Sequence, residues 1–536
     1  MGKTTNDPKG VHRAHIWEIG LYALNNTSTN LYMVLVGYIS YFLVGIVGVG
    51  VVLAGSIVTI MRVWDGVTDP FVGMIVDKTN TKFGKNRPFI VIGNVILFVM
   101  TWLMFNILPK TPQGIRFPVF IIMYMIYIIG YTFQCVVTKS AQTCLTNDPK
   151  QRPIFAMFDS TYNLLAMSVI IPVYVTGTLL PKFNITDGAK IDALVAQNAS
   201  LAKLVETAED GTRSLSAFYN PEFFQYFQLV IGGIAVVCAI CAIIGLWRKD
   251  RQEYFGTGKV QKITFRDYVD VLAHNRGIQM LVVAASSDKL SLSMMSNSTV
   301  MICLFGVICG EYAYYGSLSA ISAIPVLVLT LLGMNNIARR LGQKKALVVG
   351  TVGALASAAL MLALFVLGNP TSMKYPTFSL TKISTWGGLF HASNWSMFGV
   401  LFILIYCLLK GFSSIASSIV IPMTADCADY EVYRSGKYVP GLMGTLFSFV
   451  DKVISSLAST FVALMFALIG FKDVLPTPTT PYSSSIFWVT MACFLGAPVV
   501  GWLLNIVAMK FYPLTKEKME EIQDRIAEIK AEAMKG

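Results

Sequence analysis

The chain has 536 residues, of which 54% are hydrophobic and only 13% are charged. A soluble domain carries about a quarter charged residues and cannot bury this much apolar surface, so the composition excludes a soluble fold. The formal net charge is +12, and the basic residues lie in short loops between apolar runs. This distribution is typical of membrane topology, and we expect no nucleic-acid partner. The predicted class is an all-α polytopic membrane protein embedded in a lipid bilayer.

Twelve apolar runs are long enough to cross a bilayer as helices, which takes about 20 residues each. They cover residues 17–44, 50–76, 88–108, 117–145, 154–180, 224–247, 277–306, 311–336, 345–367, 396–423, 440–470 and 484–511. We expect two six-helix pseudo-repeats, residues 17–247 and 277–511, joined by a middle loop, 248–276, as in many secondary transporters. Residues 1–16 are polar and lack the apolar core of a signal peptide.

Basic residues concentrate in the loops that follow the even-numbered runs. They are Lys78, Lys82, Lys85, Arg87, Lys150, Arg152, Arg248, Lys249, Arg251, Lys259, Lys262, Arg266, Arg339, Arg340, Lys344 and Lys345. The positive-inside rule therefore puts both termini in the cytoplasm of a multi-pass plasma (inner) membrane protein. The nine cysteines are scattered without a CxxC pair, so we expect no disulfide framework and no metal beyond a possible Na⁺ site.

Two segments lie outside the twelve runs. Residues 181–223 form a polar insertion that is expected to face outward, with helix-like periodicity around Ile191–Thr207. Residues 512–536 are expected in the cytoplasm, with an amphipathic helix over 515–536 and Thr515 as its N-cap. Each segment is either a simple structural cap or a docking site for a partner.

Charged side chains inside apolar runs cost a few kcal/mol each and indicate function by default. They are Arg62, Asp65, Asp69, Lys139, Asp159, Asp288, Lys289, Lys410, Asp451 and Lys452.

Asp65 and Asp69 are four residues apart, so they share one face of the second helix. Two carboxylates this close repel unless a cation or a proton lies between them. The pair therefore suits Na⁺ or a shared proton. Thr68 adds a hydroxyl, and Arg62 lies on nearly the same face. The alternative is a structural salt-bridge cluster.

Lys452 follows Asp451 in the eleventh run. Its ammonium either competes with the coupling cation, which would link ion occupancy to movement, or merely neutralises the two acids. Lys139 and the pair Asp288–Lys289 lie in polar stretches that must face inward, because lipid would reject them. Such a wall with aromatic residues suits a hydroxylated solute such as a sugar.

Two long stretches resemble the signatures of a known family. RVWDGVTDPFVGMIVDKT, with KFGKNRP after it, and MTADCADYEVYRSGKYVPGLMGTLFSFVDKVISSLAS are similar to motifs of the glycoside–pentoside–hexuronide:cation symporters. This family, which includes the melibiose carrier, belongs to the major facilitator superfamily. The resemblance implies that Asp65 and Asp69 are the paired cation-site aspartates, that Thr132 contributes to a sodium site, and that Lys452 is the lysine near it.

The sequence departs from the melibiose carrier at several of these positions. Thr68 replaces an asparagine ligand and Cys135 replaces a third aspartate, so Na⁺ and H⁺ both remain open as the coupling ion. Thr27 and Ser160 stand where the carrier has its sugar-binding aspartate and arginine, and Lys139 lies near a sugar-facing aromatic position. A cation there points to an anionic solute, unless Lys139 simply pairs with an acid. The candidate solute-binding residues are Thr27, Asn26, Tyr131, Cys135, Lys139, Asp159, Ser160, Asp288 and Lys289.

The resulting hypothesis is symport of a sugar, glycoside or hexuronide-type solute with Na⁺ or H⁺ by alternating access. At the cytoplasmic face, a gate is expected in which Lys78, Lys85 and Arg87 meet Asp426, Asp429 or Glu431; topology alone is the alternative explanation for the basic loop. We expect a monomer and no cofactor other than the coupling ion.

Three rival functions remain to be distinguished from sugar symport. They are a nutrient sensor built on a transporter fold, a symporter of a non-sugar polar or anionic solute, and an intramembrane hydrolase that uses the aspartate pair. No HExxH or GxSxG motif accompanies that pair, so we do not expect an enzyme.

Overall fold

The structure is a computed structural model. It describes residues 13–79, 81–146, 151–207, 211–251, 273–333, 336–337, 339–379, 383–435 and 440–533.

The described part of the chain contains twelve long helical segments, here called spans 1 to 12. They are Ile16–Gly37 with Ile39–Val47, Val51–Lys78, Arg87–Lys110, Gln113–Leu145, Met157–Phe183 within a helical run that starts at Arg152, Pro221–Leu246, Arg276–Met295 with Ser298–Ile308, Ala313–Gly333, Gln343–Leu367, Met397–Ser435, Pro440–Leu468 and Ser484–Phe511. They coincide with the twelve predicted runs, which confirms the predicted fold class.

Most of these segments are long and apolar enough to cross a membrane. Among the described residues, nine helices are long and apolar enough to cross a membrane alone, and spans 1 and 7 qualify as bent pairs. Span 11 is helical over Pro440–Leu468, although its qualifying apolar stretch is the shorter Lys452–Leu468. Spans 1 and 7, the first of each half, bend by 40° and 44°. Interrupted helices at corresponding positions of two halves are typical of transporter binding sites.

The two halves approach each other along two pairs of spans. Span 2 lies against span 11, where a Cβ on Gly55 would come 2.6 Å from the backbone oxygen of Ser459. Span 5 lies against span 8, where a Cβ on Gly316 would come 2.8 Å from the backbone oxygen of Pro172. Small residues allow such close backbone contact between helices in a membrane. These two contacts position the residues described below.

The insertion folds into a small cap on the side away from the chain termini. It contains the helix Gly188–Gln197, the 3-10 helix Ala199–Leu204 and an antiparallel pair of short strands, Glu206–Thr207 with Arg213–Ser214. The helix expected over Ile191–Thr207 is therefore too long. It ends at Gln197 because the Asn198 side chain accepts a hydrogen bond from Ser200 N at 3.0 Å and starts the next turn.

The cap belongs to the first half and contacts the second. Tyr219 Oη donates to Leu475 O at 3.0 Å and accepts from Leu475 N at 3.1 Å. Nearby, Tyr41 Oη of span 1 donates to Pro476 O at 2.7 Å, and Ser298 Oγ of span 7 donates to Gly37 O at 3.1 Å. These bonds hold the halves together on the side away from the termini.

A last helix, Lys516–Ala533, follows span 12. Thr515 Oγ1 accepts from Lys518 N at 3.3 Å and so caps its first turn. Ile522 is fully buried, and Tyr433 Oη of span 10 donates to Glu521 Oε1 at 3.1 Å. The helix therefore lies against the second half on the side of the termini.

Candidate cation and solute site

Two carboxylates of span 2 meet a lysine of span 11 across the contact between the halves. Lys452 Nζ lies 2.6 Å from Asp69 Oδ2 and 3.2 Å from Asp65 Oδ2. Arg62 Nη1 lies 3.5 Å from Asp65 Oδ2, and Thr132 Oγ1 of span 4 donates to Asp65 Oδ1 at 3.0 Å. The structure therefore brings together five residues that sequence reasoning assigned to one site. We call them the carboxylate cluster.

The carboxylate cluster balances two negative charges with two positive charges. The Asp65 side chain is fully buried, whereas the Asp69 side chain is 37% exposed. A buried carboxylate is tolerated only when it is paired and hydrogen-bonded, and Asp65 has Lys452, Arg62 and Thr132 for this purpose. Lys452 Nζ thus lies between the two carboxylates, where a shared cation was expected.

Backbone geometry brings the two halves close enough for this contact. Next to the close approach at Gly55, Thr59 Oγ1 donates to Ser456 O at 2.8 Å and lies 2.9 Å from Thr460 Oγ1. Gly55, Thr59 and Arg62 lie about one helical turn apart along span 2. The same face of span 2 therefore follows span 11 down to the carboxylate cluster.

Thr68, expected at the cation site, and Cys135, expected among the solute-binding residues, make no contact with the carboxylates of Asp65 and Asp69 among the described hydrogen bonds. Thr68 Oγ1 donates to the backbone oxygen of Asp65 at 3.0 Å, so its hydrogen points to its own helix. Cys135 is half-buried on span 4, one turn after Tyr131 and one turn before Lys139. The ligand role expected for Thr68 stays a prediction, because a hydroxyl that donates its hydrogen to the preceding turn keeps oxygen lone pairs for a cation.

A second polar group joins spans 1 and 5 within the first half. Asn26 Nδ2 donates to Asp159 Oδ1 at 2.8 Å, and Asn163 Nδ2 donates to the same oxygen at 3.0 Å. Asn30 Nδ2 donates to Asn163 Oδ1 at 2.7 Å. Sequence reasoning missed Asn30 and Asn163, although each stands four residues after a candidate on the same helix. We call these four residues the amide network.

The neighbouring candidates Thr27 and Ser160 do not meet. Thr27 is buried, and its hydroxyl has no hydrogen-bond partner among the described residues. Ser160 is exposed. Consecutive residues of a helix point about 100° apart, so the contact between Asn26 and Asp159 turns Thr27 and Ser160 to other faces. The contact between spans 1 and 5 is therefore made by the residue before each of these two candidates.

Span 4 carries Tyr131, Cys135 and Lys139 on one face. The Arg62 guanidinium carbon lies 5.5 Å from the centroid of the Tyr131 ring, which connects this face to the carboxylate cluster. Lys139 is exposed and forms no ion pair with any carboxylate that the structure describes. The alternative that Lys139 pairs with an acid is not observed in this part of the chain.

Asp288 of span 7 is bound within the second half. Its Oδ1 accepts from Trp502 Nε1 at 2.9 Å and its Oδ2 accepts from Ser417 Oγ at 2.7 Å. Only 3% of Asp288 is exposed, whereas the adjacent Lys289 is exposed. Asp288 therefore connects spans 7, 10 and 12, and its burial leaves little of its carboxylate surface for a solute.

Arg87, one of the residues expected at the gate, has a different partner. Arg87 Nε lies 3.5 Å from Asp250 Oδ2, and the backbone nitrogens of Asn86 and Arg87 each donate to that carboxylate at 2.9 Å. Asp250 follows span 6, and its carboxylate binds the N-terminus of span 3, which is the positive end of the helix dipole. This position explains why Asp250 replaces Asp426 or Asp429 as the partner of Arg87.

The remaining gate candidates also lie on the side of the termini. Lys78 is exposed at the end of span 2, and Lys85 is half-buried in the loop before span 3. Asp426 and Asp429 are half-buried on span 10. Glu431, named as an alternative partner, accepts from Asn275 Nδ2 at 2.9 Å and from Arg434 Nη2 at 2.7 Å, both in its own half.

The profile of the family described as MFS/sugar transport protein matches residues 22–516 of this chain. The chain belongs to this family. The match confirms the resemblance to glycoside–pentoside–hexuronide:cation symporters that the motifs indicated. The protein is a membrane transporter and not an enzyme.

Two relatives align over nearly the whole chain. The glucuronide carrier protein homolog of Escherichia coli (strain K12) is 23% identical over 498 residues, covering 90% of this chain and 89% of the relative. The isoprimeverose transporter of Lactiplantibacillus pentosus is 20% identical over 504 residues, covering 94% of this chain and 90% of the relative.

Solved transporters share the fold. An inward-facing, unoccupied bacterial homolog of the human lysosomal transporter Spinster has a TM-score of 0.56 at 13% identity, covering 93% of this chain and 96% of that one. The nucleoside transporter NupG has a TM-score of 0.55 at 10% identity, covering 93% and 98%. At this identity the likeness shows the fold alone.

Proposed function

We propose that this transporter couples the uptake of a sugar, glycoside or hexuronide-type solute to the entry of Na⁺ or protons. One observation carries the proposal: the Lys452 ammonium of the second half binds both Asp65 and Asp69 of the first half. The names of the relatives, a glucuronide carrier homolog and an isoprimeverose transporter, support a sugar-type solute. The exposed Lys139 keeps the rival of a non-sugar anionic solute open.

Competition for the two carboxylates provides the coupling. A cation that binds Asp65 and Asp69 takes the place of the Lys452 ammonium and loosens the ion pair between the halves. Removing one partner from a fully buried ion pair costs about 3–5 kcal/mol, and the partial exposure of Lys452 and Asp69 lowers that cost here. Lys452 therefore leaves most readily when another positive charge replaces it. The free energy of cation binding thereby opens a contact that must rearrange for alternating access.

Coupling in this scheme is reciprocal. If the cation favours the arrangement that binds solute, the solute raises cation affinity by the same factor, typically 5- to 150-fold. The amide network and the face of span 4 with Tyr131, Cys135 and Lys139 supply polar groups for the solute between the two halves. We further propose a monomer in the plasma membrane with both termini in the cytoplasm, since the basic loops lie on that side.

Transport by the purified full-length chain in liposomes tests the proposal. Solutes are offered with an inward Na⁺ gradient, an inward proton gradient, both, or neither. The proposal predicts accumulation above the outside concentration with at least one of the two gradients, and only equilibration without them. Binding without flux under every gradient would instead identify a sensor, and equilibration under every gradient would exclude coupling.

A further inference from the structure

A pocket of about 420 Å³ lies between the halves on the side where span 5 meets span 8. Small-molecule sites commonly measure roughly 300–1,000 Å³. Serine hydroxyls from four spans line the pocket: Ser168, Ser296, Ser319, Ser322, Ser414 and Ser418. Its size and hydrogen-bonding groups suit a small hydroxylated molecule. The carboxylate cluster lies at the other contact between the halves, between spans 2 and 11.

Helical spacing builds one wall of this pocket. Tyr406, Lys410, Ser414 and Ser418 follow each other at intervals of four residues on span 10, so they form a strip along one face. The bend of span 7 lies opposite, with Ser296 between its two helical parts. Lys410 Nζ donates to Ser296 Oγ at 3.3 Å and lies 5.9 Å from the centroid of the Tyr406 ring.

Lys410 is the one charged residue among the described residues that line the pocket. It forms no ion pair with a described carboxylate, and the nearby Asp288 carboxylate, which attracts it from a distance, directs its oxygens to Trp502 and Ser417 instead. A cation within a membrane-spanning segment is costly unless its charge is compensated. A hydroxyl and an aromatic ring compensate the Lys410 ammonium less well than an anion would.

We propose that this pocket is a subsite for the anionic group, a carboxylate or sulfonate, of a glycoside, with Lys410 as the residue that selects the charge. The inference rests on the proposed transport of a sugar-type solute and narrows its chemical class. The ammonium donates a charge-assisted hydrogen bond to the anion, while serine hydroxyls bind the rest of the solute. A hydrogen bond to a charged group contributes enough to change affinity about 10- to 100-fold.

Three methyl glycosides that differ only at carbon 6 of glucose test the subsite. They are the neutral methyl glucoside, methyl glucuronide with a carboxylate, and methyl 6-deoxy-6-sulfoglucoside with a sulfonate. Their dissociation constants are measured on the purified full-length protein from intrinsic tryptophan fluorescence. The variants are Lys410→Gln, which removes the charge, and Lys410→Arg, which keeps it. Lys203→Gln, on the exposed surface of the cap, is the matched control.

We expect the wild-type protein to bind at least one anionic glycoside tenfold or more tightly than the glucoside. Lys410→Gln should remove this preference by weakening the anionic ligand, with glucoside affinity within about twofold of wild type. Lys410→Arg and Lys203→Gln should keep the preference, and a monodisperse gel-filtration profile shows that each variant is folded.

Several results would overturn the inference. They are a wild-type protein without preference for either anion, a preference that survives Lys410→Gln, or one that is lost in Lys139→Gln instead. Gradient-driven uptake of all three glycosides, measured in the same variants, separates the two proposals. If uptake is coupled but shows no preference for an anion, only the subsite is wrong; if no solute is accumulated under any gradient, the transport proposal fails as well.

Discussion

Substituting Asp65→Asn removes one charge from the carboxylate cluster while keeping the shape of the side chain. In the wild type, the Asp65 carboxylate lies 3.2 Å from Lys452 Nζ and 3.5 Å from Arg62 Nη1. At an effective dielectric constant of 20, each contact corresponds to about 5 kcal/mol of gross Coulomb attraction. Desolvation and the partial exposure of both cations offset most of this energy, so we expect a net loss near 1.5–3 kcal/mol in the free energy of unfolding.

The functional effect of Asp65→Asn should exceed its effect on stability. The variant leaves two positive side chains around Asp69 alone, so a coupling cation meets repulsion and one carboxylate fewer. We expect gradient-driven accumulation in liposomes to disappear, while exchange of labelled for unlabelled solute across the membrane persists. Fluorescence-detected gel filtration after heating measures the accompanying loss of stability.

A second substitution provides the control for charge balance. Combining Arg62→Gln with Asp65→Asn restores the neutrality of the cluster. We expect the double variant to recover part of the lost stability, because the effects of substitutions at contacting residues do not simply add. It should recover none of the coupling, because the Asp65 carboxylate is still missing. Normal accumulation by Asp65→Asn under the coupling gradient would refute the role assigned to this carboxylate.

Three other substitutions test separate parts of the structure. Gly55→Ala should push span 2 away from span 11 and reduce coupled uptake, whereas Gly73→Ala on the same span meets nothing within 4 Å and should leave uptake normal; equal uptake by both would contradict the close contact. Tyr219→Phe removes two hydrogen bonds between the cap and the second half, so the contact between the halves should loosen there. Cysteines should then be labelled faster by a reagent from the side away from the termini, and an unchanged labelling rate would contradict the role of these bonds. Asp159→Asn weakens the hydrogen bond from Asn26 and should lower solute affinity about 5- to 15-fold in binding assays. Unchanged affinity would show that the amide network is purely structural.

Features that depend only on residues close together in the sequence could be predicted from local sequence patterns. The twelve spans follow from the length of apolar runs, and the shared face of Asp65 and Asp69 follows from the helical repeat. Lys452 lies 383 residues beyond Asp69, so no local pattern links them. Their pairing was expected from the need to compensate charges inside the membrane and from the family resemblance, and the structure places the ammonium between the two carboxylates.

The remaining differences arise where tertiary contacts choose among equally plausible local options. Arg87 meets Asp250, because spans 3 and 6 end side by side in the same half. Whether Asn26 or Thr27 faces span 5 depends on the rotation of span 1, which a single sequence does not define to within one residue.

Reciprocal binding tests the central claim most directly, namely that occupancy of Asp65 and Asp69 by a cation is linked to solute binding. Solute affinity is measured with and without Na⁺ across pH, and cation affinity is measured with and without solute. The account predicts that the two factors are equal, about 5- to 150-fold, and that both fall to one in Asp65→Asn. Solute affinity that is independent of both Na⁺ and pH in the wild-type protein would contradict it.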